Sequence, residues 1–222
     1  MTSFRMVLRV LQPFLWACIS FWMVCLVLLA VLPMHGELQL FNGAKGSWVD
    51  LFFIYATKMG EEHGYIVITL AALVLLDAKR AFWIPLTGFF VSLVSFLTKS
   101  AFRSPRPGHF MEADWFKDQV ILVDGIVPLS GFTSFPSGHT MSAFALAAMT
   151  IYLFPRSAWL AAGLFFLAVL VGISRVYLVM HFLRDVLLGS VLGVLVGLLL
   201  AWAHQAFVLR KSADQASSSV SN

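Results

Sequence analysis

Residues 174–185 read SRVYLVMHFLRD, and apolar runs at about 158–173 and 186–207 flank them on either side. Arg175, His181, Arg184 and Asp185 therefore stand between two stretches that have almost no other charge. A charge at the edge of hydrocarbon is costly, so such a cluster points to a functional site by default. His181 and Asp185 are four residues apart, which puts them on one face of a helix. A carboxylate within hydrogen-bond reach fixes an imidazole tautomer and raises its basicity, which is how a nucleophile is prepared. The plainer alternative is that the two merely cap a helix entry or pair with Arg184.

Two further stretches have the same character. Residues 99–107 read KSAFRSPRP, where Lys99 ends an apolar run at about 81–98 and Arg106 lies between Pro105 and Pro107. The prolines prevent helix there, so the backbone can turn and present Lys99 and Arg106 to one point. A guanidinium fork matches two phosphate oxygens and an ammonium adds a compact charge. Basic residues at helix ends also serve simply as headgroup anchors. Residues 136–139 read PSGH and open the apolar run at about 139–154. Backbone amides at a helix N-terminus lack intrahelical partners and, with the positive dipole end, form an anion site at Ser137 and Gly138. Ser137 either caps the helix or donates its hydroxyl to the anion. His139, in the first turn, is placed to protonate a leaving oxygen; the plainer alternative is a capped helix start with an incidental histidine.

His139, His181 and Asp185 are also metal ligands by type. Lys99, Arg106 and Arg175 would then crowd a divalent cation, which electrostatics disfavours in a partly desolvated cleft. The expectation is an anion site with no metal and no cofactor.

The rest of the chain reads as membrane scaffold. Of its 222 residues 60% are apolar and 12% charged, against roughly 25% charged in soluble domains. Cys18 and Cys25 read as small hydrophobes within the first run, with no framework of paired cysteines. Apolar runs at about 14–33, 63–76, 81–98, 139–154, 158–173 and 186–207 predict an all-α bundle of six transmembrane helices. A bilayer core of ~30 Å needs about 20 helical residues, so the middle runs span when their polar ends are counted. The second run is short; the amphipathic stretch Trp48 to Met59 either extends it or lies along the interface. Arg5 and Arg9 before the first run admit a cleaved signal peptide. Its length, Trp16, Trp22 and the lack of an A-x-A-like site favour a retained helix.

Six spans from a cytoplasmic N-terminus put Arg5, Arg9, Lys79, Arg80, Arg156, Arg210 and Lys211 in short cytoplasmic segments, the positive-inside pattern. Loops 34–62, 99–138 and 174–185, with all three motif stretches, then lie on the extracytoplasmic face of the inner membrane. The net charge of +4 is explained by that asymmetry. No basic stripe with interleaved aromatics appears, so nucleic-acid binding is not expected. Residues 1–211 are expected to form one integral-membrane domain, and the serine-rich stretch 212–222 a disordered cytoplasmic tail. Oligomeric state is not legible.

The order K-x6-RP, PSGH and SR-x5-H-x3-D, carried by Lys99, Arg106, Pro107, Pro136 to His139, Ser174, Arg175, His181 and Asp185, resembles the type 2 phosphatidic acid phosphatase superfamily over about residues 48–205. That resemblance implies a six-helix membrane bundle that removes phosphate from lipids without metal. It also implies that His181 attacks phosphorus to form a phosphohistidine, that Asp185 orients His181, and that His139 protonates the leaving lipid oxygen and then activates water. Lys99, Arg106, Ser137, the Gly138 amide and Arg175 are expected to hold the phosphoryl oxygens. One departure stands out: many relatives have glycine or proline near the second histidine, where this chain has Val179, Met180, Phe182 and Leu183. It is expected to affect lipid fit more than chemistry.

The substrate class implied is a lipid phosphate: isoprenoid diphosphate, phosphatidylglycerol phosphate, phosphatidic acid or lipid A phosphate. A lipid-to-lipid phosphotransferase using the same phosphohistidine, or a non-enzymatic lipid transporter, are the alternatives. Arg103 either meets a second phosphate or is a solvated loop charge. Loop 108–133 either covers the site or is wet surface.

Overall fold

The computed structural model describes residues 3–220, and every regular element among them is helical. In chain order the α-helices are α1 (Ser3–Val31), α2 (Ser47–Lys58), α3 (Glu62–Leu75), α4 (Ala78–Ala81), α5 (Trp83–Phe102), α6 (Asp114–Lys117), α7 (Gly138–Leu153), α8 (Ala158–Tyr177) and α9 (Leu183–Val220), with three short 3-10 turns between them. The stretch 212–222, expected from sequence to be a disordered tail, instead continues α9 as helix to Val220, and its last two residues lie outside the described residues.

Among the described residues, four stretches are long and apolar enough to cross a membrane: Ser3–Val31, Ala78–Phe110, Ala158–Tyr177 and Leu183–Gln215. The other two predicted runs became α3, with 14 residues, and α7, with 16. At 1.5 Å per residue these reach only ~21 and ~24 Å. Helix α7 is enclosed rather than lipid-facing, because nearly every residue from Thr140 to Leu153 is buried. It lies at the centre, against α5, α8 and α9, with α1 closing the bundle beyond.

Small residues let the helices approach this closely. Gly189, Gly193 and Gly197 form an i, i+4 stripe on α9 that faces α7. A Cβ at Gly193 would come within 2.3 Å of the Met141 carbonyl oxygen, and one at Gly189 within 2.5 Å of that of Ser137. Gly189 thus lets the start of α7 press against α9 just beyond Asp185. Because the obstacle is backbone, Gly193→Val is expected to force the two helices apart at a cost of about 1–3 kcal/mol or more. Thermal unfolding of the detergent-solubilised protein checks this; an unchanged midpoint would mean that α7 and α9 pack less tightly than described.

The antiparallel course brings the C-terminal ends of α1, α5 and α8, the N-terminal ends of α7 and α9, and the α2–α3 turn to one end of the bundle. The opposite end joins the Asp77–Arg80 corner to α9, where the Tyr152 hydroxyl lies 2.8 Å from His204 Nδ1. Lys79, Arg80, Arg156, Arg210 and Lys211 belong to that second end.

Candidate active site

The segment 178–182 between α8 and α9 is the centre of the site. It leaves α8 in a tight turn in which the Met180 and His181 amides donate to the Arg175 carbonyl at 2.9 and 3.1 Å. Val179 sits at φ 58°, a left-handed conformation that a β-branched side chain adopts only at a cost of ~1–3 kcal/mol. The missing glycine noted in the sequence therefore coincides with real backbone strain next to His181.

His181 is 1% exposed and Asp185 fully buried, with Nδ1 of the imidazole 3.2 Å from Oδ2 of the carboxylate. The same Oδ2 accepts from the Phe182 amide at 3.1 Å and from the Ser134 hydroxyl. Since an ionised carboxylate only accepts, Nδ1 carries the proton and Nε2 keeps a free lone pair. Burial pushes the His181 pKa down to about 3, and the charges of Arg175 and Arg106 add to it, against the opposing effect of Asp185. The ring is therefore neutral. Histidine-selective ¹⁵N NMR in detergent is expected to show it unprotonated at Nε2 down to about pH 5. A titration near the ordinary value of ~6.5 would contradict the burial described here. The sign also applies to stability: the unfolded chain takes up this proton first, so acidification below ~6.5 favours unfolding.

The cations converge on this imidazole. Arg106 is buried, donates from Nε to the Thr133 hydroxyl at 3.1 Å, and reaches the Met180 carbonyl beside His181 at 3.4 Å. Arg175, 6% exposed, donates to the Thr57 hydroxyl at 2.7 Å, while its buried Nε has no protein acceptor. Lys99 Nζ lies 3.4 Å from where a Cβ on Gly138 would sit. The three cations are near enough to feel one another's charge. Such a cluster repels itself and favours an anion among its members.

The PSGH turn closes the ring. The Ser137 amide donates to the Asp185 carbonyl at 2.9 Å, which ties the start of α7 to the first turn of α9. The Ser137 side chain caps α7 by accepting from the Thr140 amide, as the N-cap reading expects, and also accepts from the Thr140 hydroxyl at 2.9 Å. His139 faces a cleft of ≈ 610 Å³ between α3 and α5 that Lys99 and Gly138 also line. Its Nε2 lies 3.1 Å from Glu61 Oε1.

All eight residues singled out in the sequence thus meet at one end of the bundle. Four others were not foreseen: Ser134 on Asp185, Thr133 on Arg106, Thr57 on Arg175 and Glu61 on His139. Ser134 and Thr133 sit just before PSGH, where hydroxyls near a charged motif were the only clue. Thr57 and Glu61 arrive from the α2–α3 turn, and no local pattern marks them. Arg103 caps the end of α5 at φ 44° and is exposed, without an ion pair among the described residues. Loop 108–133 is not wet surface throughout. His35 stacks on Trp115 at 4.8 Å and meets Phe182 at 4.5 Å, while Phe116, Val120 and Val123 are buried. The loop thereby packs an aromatic plug against the residue that follows His181.

Residues 80–209 match the PAP2 superfamily, and the chain belongs to it. Phosphatidylglycerophosphatase B of Bacillus subtilis is 43% identical over 72 residues, 28% of this chain and 34% of that protein. The lipid A 4'-phosphatase of Porphyromonas gingivalis is 30% identical over 161 residues, 69% of this chain and 59% of that protein. The crystal structure of Aquifex aeolicus LpxE superposes with a TM-score of 0.60 at 26% identity, over 73% of this chain and 91% of that one. The chain therefore spans about a third and three-fifths of the length of these two curated relatives.

Proposed function

We propose that this chain is an integral-membrane phosphatase that removes phosphate from lipid mono- or diphosphates through a phosphohistidine on His181, without a metal ion. One arrangement carries the reading: a buried neutral imidazole, held through Nδ1 by Asp185, beside the guanidinium groups of Arg106 and Arg175. The Nε2 lone pair attacks phosphorus, the N–P bond forms as the P–O bond to the lipid breaks, and the leaving oxygen takes a proton from protonated His139. Water then bonds to phosphorus and gives a proton to His139; the N–P electron pair returns to Nε2 and orthophosphate leaves. Splitting the displacement in two lowers each barrier. Lys99, Arg106, Arg175, Ser137 and the Gly138 amide stabilise charge on the equatorial oxygens throughout.

The balance of charge supports an extracytoplasmic site, because the other eight Lys and Arg residues stand on the His181 side with nine of the eleven carboxylates, which leaves the net positive charge at the opposite end. Arg5, Arg9, Lys79, Arg80, Arg156, Arg210 and Lys211 gather at the end opposite His181, and in this reading that end faces the cytoplasm. Six crossings follow if α3 and α7 complete their passage with the flanking polar turns. The cleft at His139 continues along α5 from Lys99 to Pro85, 14 residues or ~21 Å of helix. That exceeds the ~15 Å from surface to midplane of the hydrocarbon, so an acyl chain fits beside α5 with its phosphate at Lys99. The named activities of the relatives, on lipid A and phosphatidylglycerophosphate, agree with such a substrate.

The test is purified protein in detergent, with chelator present, given a panel of lipid mono- and diphosphates. Release of free orthophosphate supports the reading. Phosphate appearing only on an acceptor lipid would make it a phosphotransferase, and activity that needs added metal would overturn the mechanism.

A further inference from the structure

The α2–α3 turn supplies a carboxylate to the site from outside the three motifs and outside the family-matched residues 80–209. Glu61 stands at the N-cap of α3, and its Oε1 lies 3.1 Å from His139 Nε2. Gly60 fixes that position, because a Cβ there would come within 2.8 Å of the His139 carbonyl oxygen and 2.7 Å of Val171. The turn is thus seated against the backbone of the residue whose side chain it contacts. The same corner delivers Thr57 to Arg175.

We propose that Glu61 is a positioning residue for His139: it holds Nε2–H, turns Nδ1 toward the leaving oxygen, and supports the imidazolium that acts as general acid. This rests on the phosphatase reading above. His139 makes no Nδ1 hydrogen bond among the described residues, and it lines the cleft. The charged groups around it are Lys99 from α5, Arg175 from α8 and Glu61. Burial, and then the charges of Arg175 and Lys99, disfavour an imidazolium, and Glu61 is the carboxylate that opposes them. The two histidines are therefore held by opposite nitrogens: His181 through Nδ1, leaving Nε2 to attack, and His139 through Nε2, leaving Nδ1 to donate.

The experiment compares kcat/KM of Glu61→Gln and wild type on two substrates of equal tail length, with chelator present. Dodecyl phosphate leaves as an alkoxide that needs a proton, whereas a nitro-substituted dodecylphenyl phosphate leaves as a phenolate that does not. Glu61→Gln is expected to lose at least tenfold on the alkyl substrate and stay within about threefold on the aryl one. The basic limb of its pH profile should move to lower pH by about one unit, since the imidazolium loses its counter-charge. Glu61→Asp should recover part of both effects. Equal losses on the two substrates with an unmoved pH profile would overturn the proposal and leave Glu61 a structural role.

Glu61, Glu62 and His63 also bring donor atoms within 4.8 Å of one another. If His63→Gln reproduced the Glu61→Gln loss, or added divalent metal restored it, the three would be acting as a cation site and the positioning role would be wrong. Failure of the underlying reading is separately visible: His181→Gln would then keep activity on both substrates.

Discussion

Exchanging His181 for glutamine is expected to abolish phosphate release, with a loss of about 10⁴-fold or more on every lipid substrate. Glutamine keeps a polar group near the position of Nδ1, so Asp185, Ser134 and the Phe182 amide retain a partner and the fold is preserved. What disappears is the lone pair at Nε2. Thermal unfolding checked beside the assay separates lost chemistry from lost structure. Retained turnover would show that phosphate is taken directly by water or by another side chain.

Exchanging Arg175 for lysine is expected to cost about 10²–10³-fold in kcat/KM, the range for losing one fixed donor to a transition-state oxyanion. The substitution keeps a positive charge in the buried position but removes the planar fork. In the native site one arm of that fork is committed to Thr57, while Nε has no acceptor in the protein. A buried donor left unpaired is costly and calls for a ligand. Orthovanadate, which takes the five-coordinate shape of phosphorus in transfer, should inhibit Arg175→Lys more weakly by a similar factor. Unchanged vanadate affinity with reduced turnover would mean that the Arg175 side chain acts by holding Thr57 and the α2–α3 corner in place and does not contact the phosphoryl group.

The site was legible in sequence to the extent that its chemistry is local. His181 and Asp185 share a helical face, PSGH is a helix start, and Arg106 lies between two prolines, so each announces itself within a few residues. Their convergence depends on the glycine stripe of α9. Gly189 and Gly193 could be read from the chain, but which backbone they had to admit could not. Thr57 and Glu61 were invisible for the same reason: a threonine and a glutamate at the end of an amphipathic stretch carry no signal until the α2–α3 turn is docked on α7. The lengths of the six runs separated easy spans from marginal ones but left a physical difference unseen. Helix α7 is apolar because it is the protein's own core, whereas α1 is apolar because its outer face is built for lipid. Periodicity cannot separate the two, since a helix buried all round and one spanning a bilayer are both hydrophobic on every side.

If His181 carries the phosphoryl group between the two steps, rapid-quench trapping with a radiolabelled lipid phosphate should catch it there. Protein quenched in base within the first turnover should carry label that is stable to alkali, labile to acid, and located by mass spectrometry on the peptide containing His181. Label accumulating in step with the first equivalent of released lipid alcohol is the predicted result. Lipid alcohol released with no labelled protein at any time, or label on another residue, would rule out a phosphohistidine at His181.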